Sequence, residues 1–262
     1  SNYSFLRGAS HPEELVATAA LLGTRALAIT DRDSVSGIVR GHSAAKAVGL
    51  QYIPAARLDL MDELSLLVYP TTLNAYGQLC QLLSRGKQRA PKGECQLWLD
   101  DVLADGVCDE WRVIVLSPPD LTEVFRKVLG QIVARMPERT YVAGQFLYTG
   151  DDNRRLAALD ELARIASAPM VAVNDVHAHT PARRPLQDVL SCIRAGCTIH
   201  DAGYRLHANS ERNLKGPSEM ARLFHAYPDA IGRTVEIADA CTFSLDQLRY
   251  VYPSDPVPGG RT

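Results

Sequence analysis

The chain has 262 residues, of which 46% are hydrophobic and 22% charged, and a formal net charge of −2. No apolar run approaches the ~20 residues that a membrane-spanning helix needs, and the charge lacks the basic excess of a general nucleic-acid binder. The six cysteines (80, 95, 108, 192, 197 and 241) include no C-x-x-C pair. They read as reduced thiols in a cytoplasmic protein without a secretory leader.

In chain order, PEELVATAALLG (12–23) has apolar residues at helical spacing and a glycine stop. ALAIT (26–30) is a short buried strand ending at Asp31. SVSGIVRGHSAAKAVG (34–49) is helical, with Ser34 as the N-cap and Gly49 after the end. QYIPAARLDL (51–60) and LSLLVYP (64–70) are strands joined by a polar turn, and 72–86 is an amphipathic helix. Residues 87–111 contain an exposed loop and a short helix at WLDDVLAD.

Strand character returns at RVIVLS (112–117) and TYVAGQFLY (140–148), with helices predicted over 120–135 and 151–167, and PMVAVN (169–174) is the next strand. Helical patterns follow in PLQDVLSCIRAG, PSEMARLFHAY and PDAIGRTVEIADAC. The Pro/Gly-rich end reads as a linker. Repeated strand–helix alternation predicts parallel strands with helices outside, as an α/β barrel with a helical tail. The expected divisions are a barrel over 1–182, a helical extension over 183–250 and a linker over 251–262.

Functional groups of such barrels collect at the carboxyl ends of the strands. Two apolar strands here run into carboxylates, Asp31 and Asp175, and His177 follows the second. Oxygen and imidazole donors together suit zinc, manganese or iron better than calcium. Both aspartates could equally cap the turns that follow, since Asp is favoured there. His179, His11 and His42 read as turn, helix lead-in and packing residues, and nothing groups His200, His207 and His225. The basic stretches 85–92 and 205–215 read as solvated loops. No G-x-S-x-G elbow, Walker loop or dinucleotide fingerprint is present.

The stretches SNYSFLRGASHPEELVATAALLG, LAITDRDSVSGIVRGHSAAKAVG, VNDVHAHTPARRPLQDVLSCIRAGCTI and RLHANSERNLKGPSEMARLF carry a resemblance. The chain resembles the PHP (polymerase and histidinol phosphatase) domain of bacterial DNA polymerase III alpha-type subunits, most closely the error-prone, damage-tolerance form. The resemblance implies a distorted seven-stranded (β/α) barrel, TIM-like, with up to three metals at its mouth.

The departures from the family pattern bear on that metal cluster. T-D-H appears as Thr30-Asp31-Arg32, and the glutamate of G-C-E aligns with Arg57. The histidine that opens the next strand aligns near Glu63. The glutamate and histidine of Y-L-E-x-Q-x-H appear as Ala143 and Leu147. Asp31, Asp175 and His177 remain as metal-site positions. With Arg32 and Arg57 expected to pair with Asp31 and Asp175, the resemblance implies a degenerate, non-catalytic scaffold. It leaves room for a residual zinc or manganese ion.

The implied parent is a DNA-directed, lesion-tolerant polymerase of the bacterial cytoplasm, with magnesium held in a separate palm. Its expected partners are the other polymerase domains, DNA through the parent, and replication or mutasome proteins, with no membrane contact. An active metal-dependent phosphoesterase or 3′–5′ proofreading exonuclease is the competing reading. A metal-free module that docks polymerase partners is the third.

Overall fold

A computed structural model describes residues 1–249. Short runs rich in Val, Ile and Ala form six strands: β1 (Ala26–Arg32), β2 (Gln51–Asp59), β3 (Ser65–Pro70), β4 (Trp111–Leu116), β5 (Thr140–Gln145) and β6 (Met170–Val173). They make one sheet in sequence order. The β1–β2, β4–β5 and β5–β6 pairs are parallel, whereas β3 runs antiparallel to both neighbours. The purely parallel expectation fails at β3 for a local reason. Residues 60–64 are too few to hold a crossover helix, so the chain must return as a hairpin.

Alternation along the strands gives the sheet two apolar faces. One face carries Ala56, Leu58, Leu66, Val68, Val113, Val115, Val142 and Met170. It packs under α3 (Leu73–Arg89), the short α4 (Leu99–Leu103), α5 (Glu123–Arg135) and α6 (Asp152–Ala166). The opposite face carries Ile53, Leu67, Ile114, Tyr141, Ala143 and Val171. It is lined at one end by Ile237, Ala238 and Cys241, from the last helix (Pro228–Ala240) and its C-cap. The helical tail therefore packs inside the curl of the sheet. Helices α1 (Pro12–Leu21) and α2 (Ile38–Val48) cover β1 on its outer side through Leu15, Val16, Ile38 and Ala45.

Six strands are present among the described residues, not seven, and the sheet remains a curled half-barrel whose edges are β1 and β6. Residues from both edge strands line one cavity of about 300 Å³. Helix α2 begins three residues later than expected. Gly37 is its N-cap, while the Ser34 hydroxyl is used by Ser36 in the preceding turn. Strand β5 stops at Gln145, three residues early, and Tyr148 adopts a positive φ of 55°. The predicted linker at 251–262 and residue 250 lie outside the described residues. No helix among the described residues is long and apolar enough to cross a membrane.

Candidate functional site

The cavity's polar mouth lies where β1, β2 and β6 end and β3 begins. Side chains of one strand parity face it: Arg32 on β1 and Arg57 and Asp59 on β2, with Ser65 opening β3. Beyond β6 the chain turns through Asp175, at a positive φ of 43°, and presents His177. The loop leading to Lys215 folds over this group and brings His207 and Arg212 with it.

Asp59 is the centre of the network. Its carboxylate accepts hydrogen bonds from Arg57 Nε at 2.6 Å and Ser65 Oγ at 2.6 Å, and pairs with Arg32. Arg57 also donates to Ser65 Oγ at 3.0 Å and lies 3.8 Å from Asp175. Burial would raise the Asp59 carboxyl, but Arg57, Ser65 and Arg32 together hold it below its ordinary value. Burial is also the main cause that lowers Arg32, with Arg57 beside it adding to the effect.

Asp175 is the second anchor. It pairs with Arg212 and stands 3.6 Å from His177 Nε2. Burial opposes its ionisation, yet His177, Arg212 and Arg57 hold it well below the usual carboxylate range. The other ring nitrogen of His177 sits 3.2 Å from the Arg7 carbonyl, and its ring meets His207 edge-on at 5.0 Å. Burial, reinforced by Arg212 and His177, pushes His207 down to about 4. Asp33, at a positive φ of 48°, accepts the Asp59 backbone N–H at 3.0 Å. Burial and the neighbouring Asp59 charge push its carboxyl up to about 6.

Asp31 does not join this group. It shares its parity with Ile29, on the outer side of β1. There Asp31 is 2% exposed and its carboxylate accepts bonds from Ser1 Oγ and Ser4 Oγ, each at 2.7 Å. The expected Arg32–Asp31 pair is therefore replaced by Arg32–Asp59, because adjacent strand residues point to opposite faces. The Arg57–Asp175 pair is present but longer than Arg57–Asp59.

Glu63 is exposed at the tip of the β2–β3 turn with a φ of 58°, and Ser65 reaches the mouth in its stead. Ala143 is buried in the inner apolar cluster. Leu147 follows β5 in a loop, where its N–H donates to Asp152 and its carbonyl accepts from Asn209. His179 contacts Ser10 Oγ at 2.8 Å, within the turn expected for it.

Asp59, Asp33, Arg7, His207 and Arg212 were not anticipated at the site. For Asp59 a signal existed: in AARLDL the charged residues alternate with Ala56 and Leu58, which marks one face of a strand end. The loop carrying His207 and Arg212 is not a solvated basic stretch, since Arg212 also supplies the carbonyl that receives the His177 N–H at 2.8 Å.

The donor set does not suit a metal ion. Each oxygen of Asp59 and Asp175 already faces a guanidinium, and a cation placed there would meet Arg32, Arg57 or Arg212. Among the described residues, no three His, Cys, Asp or Glu side chains gather as a metal shell.

Comparison with known proteins agrees with the fold. An amidohydrolase from Chromobacterium violaceum superposes with a TM-score of 0.50 over 66% of this chain and 84% of its own, at 14% identity. The error-prone DNA polymerase of Caulobacter vibrioides is 47% identical over 264 residues, covering 100% of this chain. That of Bradyrhizobium diazoefficiens is 44% identical over 274 residues, again covering 100% of the chain. The chain spans 24% of the length of each of these relatives. The PHP domain family matches residues 1–158. The chain thus belongs to the PHP domain family, in the form that error-prone DNA polymerases carry.

Proposed function

We propose that the chain is a scaffolding PHP domain of an error-prone DNA polymerase, with an ion-pair network where metal-dependent members would need ligands. One observation carries this reading: the mouth carboxylates Asp59 and Asp175 are both held by guanidinium groups, from Arg32, Arg57 and Arg212. A hydrolytic cluster that activates water needs anionic or neutral donors with free lone pairs. The template-directed addition of nucleotides, its magnesium and the tolerance of damaged template belong, in this reading, to the rest of the polypeptide. DNA and replication or mutasome proteins are contacted through that parent. A seventh strand between the free edges of β1 and β6 would close the barrel, because both edges border the same cavity.

The test is elemental analysis of the purified chain after exposure to zinc and manganese, with hydrolysis of an aryl phosphate and of a 3′-mismatched primer. Substoichiometric metal and no hydrolysis are expected. A stoichiometric ion with hydrolysis that disappears on chelation would establish the phosphoesterase or exonuclease reading in its place. Primer extension by the full-length parent, absent from the 262-residue chain, checks the polymerase assignment.

A further inference from the structure

Helix α7 (Arg184–Ala195) runs out in the sequence CIRAGC, residues 192–197. Gly196 takes the left-handed conformation at a φ of 62°, and its N–H donates to the Ile193 carbonyl at 3.2 Å. The Cys197 N–H reaches back to the Cys192 carbonyl at 3.1 Å. These are the two hydrogen bonds of a Schellman cap, in which the residue after the glycine packs its side chain on the residue five positions before it. That contact is ordinarily between two apolar groups, and here it joins two thiols, Cys197 against Cys192. The backbone bond also keeps the two Cα atoms within about 7 Å, close to the ~4.4–6.8 Å that a disulfide spans. Helix ends fray, but this one is tied down: Cys192 is 6% exposed, and Arg194, between the cysteines, donates to the Leu6 carbonyl at 2.9 Å. Cys80 on α3, Cys95 in the loop after it, Cys108 before β4 and Cys241 at the C-cap of the last helix belong to other elements.

We propose that Cys192 and Cys197 are a peroxide-sensitive modification site, which closes to an intrachain disulfide and reopens with a thiol reductant. Cys197 is half-buried and is the sulfur that a small peroxide reaches, whereas Cys192 is shielded. The Cys197 thiolate attacks one peroxide oxygen and breaks the O–O bond, leaving a sulfenic acid and a hydroxide that takes up a proton as water. The Cys192 sulfur then attacks Cys197 Sγ, and its proton leaves with the displaced hydroxyl as a second water. The two thiols lose two electrons, and hydrogen peroxide is reduced to two waters. A dithiol reverses the bond by two exchange steps and departs as its own disulfide. Burial, the Cys197 thiol and the Asp188 carboxylate together push the Cys192 thiol up, in keeping with its entering second. The inference needs neither a metal at the mouth nor the polymerase reading.

The test exposes the fully reduced 262-residue chain to hydrogen peroxide and traps the remaining thiols with N-ethylmaleimide. Trypsin cleaves after Arg194 and separates the two cysteines, so the disulfide appears in mass spectrometry as peptides 184–194 and 195–205 linked together. This linked pair should exceed every other cysteine pairing several-fold and vanish with dithiothreitol. It should also form several-fold more slowly in concentrated urea, where the cap that joins the thiols is gone. Equal rates with and without urea would overturn the proposal, because nearness along the chain alone would then account for the bond. So would a folded chain in which Cys197 proceeds to the sulfinic acid while Cys192 stays reduced, or one whose disulfides link two chains.

Discussion

Asp59→Asn removes one negative charge and almost no volume, and it tests whether the mouth is held together by ion pairing. Asp59 is the carboxylate shared by Arg32 and Arg57, whose side chains are only 21% and 16% exposed. Removing one partner of a buried pair typically costs ~3–5 kcal/mol, because the remaining charge is left uncompensated. Water reaches part of this network, with the Asp59 side chain 28% exposed, so the cost falls somewhat below that range. We expect a loss of about 2–3 kcal/mol, or roughly 5–10 °C in Tm for a domain of this size. Urea unfolding at pH 7, followed by far-UV circular dichroism and by fluorescence of the buried Trp111, measures it. The triple variant Arg32→Met, Arg57→Met, Asp59→Leu removes all three charges and should lie within ~1 kcal/mol of the wild type. A single variant that loses less than ~1 kcal/mol, or a triple variant as unstable as the single, would refute the pairing account.

Three further predictions use the same structure. Asp33 has a folded pKa raised to about 6, so the folded state binds its proton more tightly than the unfolded state, and stability falls as pH rises from about 4 through 6. Asp33→Asn keeps the acceptor for the Asp59 N–H and should gain about 1–2 kcal/mol at pH 7–8, with no gain below pH ~4 in chemical denaturation. His207 has the opposite sense: its folded value near 4 means that the unfolded chain takes up the proton first, so stability falls as pH drops from about 6.5 through 4. His207→Gln should flatten that acid limb, and an unchanged limb would show that the ring titrates freely. Gly41→Ala would place its Cβ 2.6 Å from the Tyr52 ring, while Gly130→Ala would meet nothing within 4 Å. Thermal melts should show the first to be destabilised by ~1–2 kcal/mol and the second stabilised by up to ~1 kcal/mol.

The helices and strands were legible because burial imprints a period on the chain. α1, α3, α6 and the β2–β3 hairpin stand within a few residues of the limits read from apolar spacing, and Gly49 ends α2 at a φ of 68°. The candidate site was legible only in part. Asp175 and His177 follow a strand whose end could be read, and both stand at the mouth. Asp31 looked equivalent because it too follows an apolar run. Its strand continues through it, however, and the parity of β1 turns it to the outer side.

What the sequence alone determined, then, was the element order, the apolar faces and the carboxylates at the ends of β1 and β6. Tertiary structure decided which charges meet. Arg32 and Asp59 are 27 residues apart, and Arg212 and Asp175 are 37 apart. Such pairs leave no periodic trace, because an ion pair depends on where two backbones converge and not on the spacing along either one. The same holds for the helix at Arg184–Ala195. Its helical period was readable, but which side faced the core was settled only when Gln187 found the Arg7 carbonyl and left Val189 and Ile193 outside.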